Sequence, residues 1–290
     1  MKPIPVAFHI GPLVVHTYGI GLALTFWFAY SYFRRRLAAR GYPTEWLAST
    51  FVWIIVAAIV GARIAHVLTN LSLYEHDPAG VLAVWHGGLS SFGGLVLAVP
   101  VGILVARSRG PRMPTMEVMD LIAPVLMAAW ALGRLLGPQL MVAGGGHPTH
   151  QWFGMYYAGQ QGRRIPVPII QSLEDSFVFC VLIAAERRVG RIRASGLGGE
   201  LRGLVLGIAM TLWGIGRFVD EHLWLGEQGH LGSALVQGAG IALCVAGLAL
   251  MAFSWHRHRQ CGQPTRGAAL QPSYEMAQTP PQEAERPLIT

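Results

Sequence analysis

The chain has 290 residues, 52% apolar and only 13% charged, with a mean hydropathy of +0.42. Soluble globular chains carry about 25% charged residues, so this composition excludes an ordinary soluble domain and points to the membrane. The net charge of +7 does not indicate a nucleic-acid partner, because the basic residues fall in short clusters between apolar runs, the pattern that orients membrane proteins.

Taken in chain order, Met1 to Val15 has one Lys and three prolines and lacks the pattern of a cleavable leader. Seven apolar stretches follow, at 17–33, 47–68, 88–106, 117–137, 168–186, 201–219 and 234–255. Each is near the ~20 residues that a helix needs to cross a bilayer. The expected fold is therefore an all-α integral membrane protein of about seven transmembrane helices. Residues 1–255 form one membrane domain. Residues 256–290, rich in Pro, Gln, Arg and Glu, read as a disordered tail.

The loops set the expected orientation. Arg34, Arg35, Arg36 and Arg40 follow the first stretch, and Arg107, Arg109 and Arg112 the third. Arg187, Arg188, Arg191 and Arg193 follow the fifth, and Arg257 and Arg259 the seventh. Residues 69–86 and 218–233 contain no Lys or Arg, and the loop after the fourth stretch has only Arg163 and Arg164. The positive-inside rule puts the N-terminus outside and the C-terminus in the cytoplasm. Cys180, Cys244 and Cys261 lack metal-ligand spacing, and no metal or cofactor is expected.

Three arginines stand at the outer ends of apolar stretches: Arg63, Arg134 and Arg217. A charge at membrane depth costs roughly 3 kcal/mol on insertion scales unless it is paired or faces a wet cavity. His66, Glu221, Tyr18, Gly87, Gly88, Gln171, Glu174 and Gln237 fall at the same end, whereas Asp120 falls at the other. The polar groups are therefore expected to converge on one pocket open to the outer face. Arginines there suit a phosphate, which a guanidinium grips with two parallel hydrogen bonds. The competing reading is that each arginine reaches the interface along its own stem.

Glu221 follows Arg217 by four residues and so shares its helix face, either orienting it or forming a plain surface pair. The glycines of Trp85-His86-Gly87-Gly88 and Phe92-Gly93-Gly94 suit either anion binding through backbone N–H groups or close helix packing. Gly144 to Thr149 reads as a flexible loop near the pocket, with His147 a solvated loop histidine in preference to a base.

These segments, in this order, resemble the prolipoprotein diacylglyceryl transferase family. Gly11-Pro12 through Tyr18-Gly19 is similar to the family's entry to its first helix, and Gly61-Ala62-Arg63 through Leu68 to its GGRxGYVL segment. Gly87-Gly88 with Gly93-Gly94 resembles its paired-glycine segment, Asp120 to Pro124 its DxIAP, and Gly133-Arg134 the start of its signature. Gly216-Arg217 with Glu221 resembles a late GxxRxxxE-type element, and Gln171 with Glu174 loosely follows HPxxLYE.

The resemblance implies a bacterial inner-membrane enzyme. It would move a diacylglyceryl group from phosphatidylglycerol to the lipobox cysteine of a prolipoprotein, forming a thioether. Arg217, Glu221 and His86 would be catalytic. Arg134, Arg63, Tyr18, Gly87, Gly88, Gln171 and Glu174 would bind substrate. The chain departs from the family in places. Phe92 stands where some members carry a His, and Gly137 and Val142 stand where the signature has Asn and Glu. Those departures leave a second reading open, a family-like protein that binds anionic lipid or acts on another acceptor. An unrelated transporter would show internal repeats, and none is present in the sequence.

Overall fold

The computed structural model describes residues 7–10, 13–71, 74–75, 78–82, 91–110, 114–137, 140, 144–194, 201–223 and 230–261. It opens with a small antiparallel hairpin that the apolar pattern did not announce. Strand β1 (Ala7–Ile10) pairs with β2 (Leu13–His16), Ala7 opposite His16. Seven long helices follow among the described residues: α1 (Thr17–Ala38), α2 (Glu45–Thr69), α3 (Ser91–Arg109), α4 (Thr115–Leu136), α5 (Val167–Ala194), α6 (Leu204–Asp220) and α7 (His230–Cys261).

The all-helical, multi-span expectation holds at that level. Among the described residues, four segments are long and apolar enough to cross a membrane: Glu45–Leu68, Thr115–Leu136, Val167–Ile192 and Val236–Arg259. That is fewer than the seven crossings expected. Helix α6, with 17 residues, is at the short end of the spanning range, and α3 carries Pro100, Arg107 and Arg109. Helix α7 runs on to Cys261, past the boundary placed at 255. The tail at 262–290 lies outside the described residues.

The helices pack as pairs. α2 lies against α3, α6 against α7, and α4 against both α1 and α5. In a lipid solvent such pairs gain from close backbone approach rather than from hiding apolar side chains, so small residues sit at the contacts. Gly61 of α2 and Gly93 of α3 face each other backbone to backbone, and a Cβ on Gly93 would collide with Ala65. A Cβ on Gly214 of α6 would lie 2.6 Å from the Gly240 carbonyl of α7. The large apolar side chains left outward, among them Trp27, Val52 and Leu248, are exposed, as lipid-facing residues should be.

One end of the bundle is tied by charge. Arg36 of α1 donates to Glu186 of α5 at 2.6 Å and to the Leu121 carbonyl of α4 at 3.0 Å. Arg40 reaches the same Glu186 at 2.7 Å. Asp120 of α4 accepts the backbone N–H of Gly203 at 2.7 Å and of Leu206 at 2.9 Å. It thus caps α6 from another helix, satisfying two N–H groups that the first turn leaves unpaired. Losing such a cap costs about 0.5–2 kcal/mol. Asp120→Ala is therefore expected to lower the melting temperature of the purified protein, and Asp120→Asn, which keeps one acceptor, to lower it less. An unchanged melting temperature in Asp120→Ala would refute the cap.

Candidate functional site

The opposite end brings together the C-terminus of α4, the N-terminus of α5 and the C-terminus of α6. They line a small, partly open cleft. Arg134 comes from α4, Gln171, Glu174 and Asp175 from α5, and Trp213, Arg217 and Asp220 from α6. Val178, Leu212 and Gly216 complete its wall.

The cleft places two guanidiniums among three carboxyl groups. Arg134 is only 8% exposed, and it stands near enough to Arg217 for the two to repel. Asp175 and Asp220 lie close enough to offset that repulsion. Arg217 donates from Nη2 to Asp220 Oδ2 at 2.7 Å, and Gln171 donates from Nε2 to the same oxygen at 2.9 Å. The Arg217 guanidinium also lies 6.0 Å from the Trp213 ring centre, within cation–π range. Glu174, half-buried, faces both Asp220 and Arg217. Ser172 anchors the start of α5 by donating to the Ala131 carbonyl of α4 at 2.9 Å.

The loop before α5 holds this end together. Gly144, Gly145 and Gly146 are buried, not free in solvent. Gly146 N–H donates to the Ile165 carbonyl at 2.9 Å, and Gln160 is bonded to both backbone groups of Gly145. His147 N–H donates to the Leu223 carbonyl at 3.3 Å, which stitches the loop to the turn after α6. Burial pushes the Tyr157 phenol in this loop up to about 12, so it stays neutral. The expected flexible loop is a packed one.

Of the residues singled out in the sequence, Arg134, Arg217, Gln171 and Glu174 meet in the cleft. Arg63 does not line it. Although only 7% exposed, it turns to the 3-10 turn Pro78–Leu82, donating to the Val81 carbonyl at 2.9 Å and to the Gly80 carbonyl, with Tyr74 against its guanidinium. Tyr18 opens α1 with its ring against His16, also away from the cleft lining. The carboxylate that meets Arg217 is Asp220, three residues on, rather than Glu221. Glu221 is buried in the 3-10 turn Glu221–Leu223, and among the described residues no ion pair involves it. His86, Gly87 and Gly88 lie outside the described residues, as does the side chain of Phe92. Asp175 and Asp220 were not singled out in the sequence. The signals that could have found them are two pairs of adjacent acids, Glu174-Asp175 and Asp220-Glu221, in or at the end of an otherwise apolar run.

Fold and cleft together define a multi-pass helical membrane protein with a buried guanidinium–carboxyl site. Residues 5–254 match the family model described as prolipoprotein diacylglyceryl transferase. A phosphatidylglycerol–prolipoprotein diacylglyceryl transferase of Azotobacter vinelandii is 31% identical over 87% of this chain and 95% of its own length. Proteins of the same name from Methylibium petroleiphilum (31% identical; 87% and 97% covered) and Nostoc sp. (28%; 86% and 89%) are similar throughout. The chain belongs to the prolipoprotein diacylglyceryl transferase family.

Proposed function

We propose that the protein transfers a diacylglyceryl group from phosphatidylglycerol to the lipobox cysteine thiol of prolipoproteins in the bacterial inner membrane. The observation that carries this reading is the convergence of Arg134 and Arg217, from different helices, in one cleft. The family and the names of its similar members supply the substrates. In this reading all seven helices cross the bilayer, with the N-terminus outside and the cleft toward the outer face. The clusters Arg34–Arg36, Arg107–Arg109 and Arg187–Arg188 then lie in the cytoplasm.

The chemistry follows from charge. The thiolate attacks the glyceryl carbon, a carbon–sulfur bond forms, and the carbon–oxygen bond to phosphate breaks. Its electron pair leaves with glycerol-1-phosphate, which gains negative charge. Fixed guanidiniums in a water-poor site stabilise charge that develops in the transition state, typically by ~3–4 kcal/mol for one donor. Arg134 and Arg217 serve that role, and Gln171 and Glu174 shape the space around the headgroup. The free thiol has a pKa near 8.5, so it must also lose a proton. That proton can end on the departing phosphate, whose second pKa is about 6.

The test is complementation. The chain is expressed in a bacterium depleted of its own transferase, and a reporter lipoprotein is weighed by mass spectrometry. The expected result is a mass increase of one diacylglyceryl group on the lipobox cysteine. A chain that reaches the membrane and leaves the reporter unmodified would overturn the proposal in favour of an anionic-lipid binder.

A further inference from the structure

We infer that Asp220 is a positioning residue for Arg217, working with Gln171 to aim the guanidinium into the cleft; the inference rests on reading the cleft as a phosphate site. Asp220 is 3% exposed and Gln171 2% exposed, so both are fixed parts of the wall. One oxygen, Asp220 Oδ2, takes both donors: Arg217 Nη2 at 2.7 Å and Gln171 Nε2 at 2.9 Å. Gln171 belongs to α5 and the other two to α6, so the carboxylate is held from a second helix and cannot swing with its own.

A guanidinium has five N–H donors in a rigid fork. Among the described residues, the bond to Asp220 is the one hydrogen bond that Arg217 makes. With one corner held by Asp220 and one face near Trp213, the remaining donors stay available for a phosphate. Asp220 does not itself contact that ligand, because a carboxylate beside a phosphate would repel it. It also offsets part of the repulsion between Arg217 and Arg134 while the cleft is empty of anion. Its effect on the ligand passes through Arg217.

The measurement is calorimetric binding of glycerol-1-phosphate to the detergent-solubilised full chain. Asp220→Asn is expected to weaken binding about tenfold, and Gln171→Ala about threefold, with melting temperatures close to wild type. In an Arg217→Ala background, where Arg134 still holds the phosphate, adding Asp220→Asn should cost less than about twofold. If binding to Arg217→Ala falls below detection, Arg217→Lys, which lacks the fork, takes its place. Equal losses in both backgrounds would overturn the inference, and so would unchanged binding by Asp220→Asn. If Asp220→Asn fails to fold, Gln171→Ala, which leaves the ion pair in place, decides by the same comparison. Thioether formation by the wild-type chain is assayed separately. A wild-type chain that binds but does not transfer would sink the proposed reaction and leave the positioning role standing.

Discussion

Arg217→Ala is expected to abolish thioether formation while leaving the protein in the membrane at wild-type level. Arg217 is at the end of α6, half-buried, with its guanidinium in the cleft beside Arg134. Removing one fixed donor to a developing anion costs roughly 10²–10³ in rate in water-excluded sites. Here a full charge is lost as well, and Asp220 is left buried without its cation, which adds a penalty for binding any phosphate. Arg217→Lys keeps the charge and loses the two-pronged geometry, so it should retain a small part of the activity. The assay is the mass of a reporter lipoprotein in cells, with membrane fractionation as the control. Normal modification by Arg217→Ala would remove this residue from the chemistry.

Gly214→Leu should have the largest effect on folding. A Cβ there would lie 2.6 Å from the Gly240 carbonyl and 2.8 Å from the Cys244 backbone nitrogen. Both neighbours are backbone of α7, so neither can yield without separating the helices. Overpacking typically costs about 1–3 kcal/mol and more where backbone must move, a large share of a stability of ~5–15 kcal/mol. The expected result is poor accumulation in the membrane and a lowered melting temperature in detergent. Gly238→Ala is the control: it lies on the same helix as Gly240, and a Cβ there meets nothing within 4 Å. Equal stability of Gly214→Leu and wild type would show that α6 and α7 do not need this contact.

The helices were legible because apolar runs of span length between arginine clusters leave little alternative to a helical bundle. Each predicted stretch lies largely within one observed helix, and the differences are at the ends. The site was only partly legible. Arg134 and Arg217 could be placed together because both close a helix at the same end. Arg63 looked equivalent by that rule, yet its partners are carbonyls of a short 3-10 turn that no apolar pattern marks.

The pairing of Arg217 shows why spacing alone misled. The i to i+4 rule holds inside an α-helix. Helix α6 ends at Asp220, and Glu221 already belongs to a tighter turn, where the i to i+4 spacing no longer fixes which side chain meets Arg217. Asp220, three residues from Arg217 and still helical, takes the position. Nor could sequence separate the two roles open to the glycines. The closeness of Gly93 to Gly61 is a matter of helix–helix contact, which appears only once α2 and α3 are side by side.

The carboxylate of Asp120 has a geometric consequence beyond the stability of one helix end. It pins Gly203 alongside itself, so Asp120 of α4 and the start of α6 share a common mark from which both helices run the same way. Arg134 stands fourteen residues beyond Asp120, and Arg217 stands fourteen beyond Gly203. At 1.5 Å per residue each climbs about 21 Å, so the two guanidiniums arrive at the same depth. The bond at the far end of the bundle acts as the zero of a ruler. A single-residue deletion in α6 between Leu206 and Arg217 would drop one cation by ~1.5 Å and turn it by about 100°, with every contact at the cap unchanged.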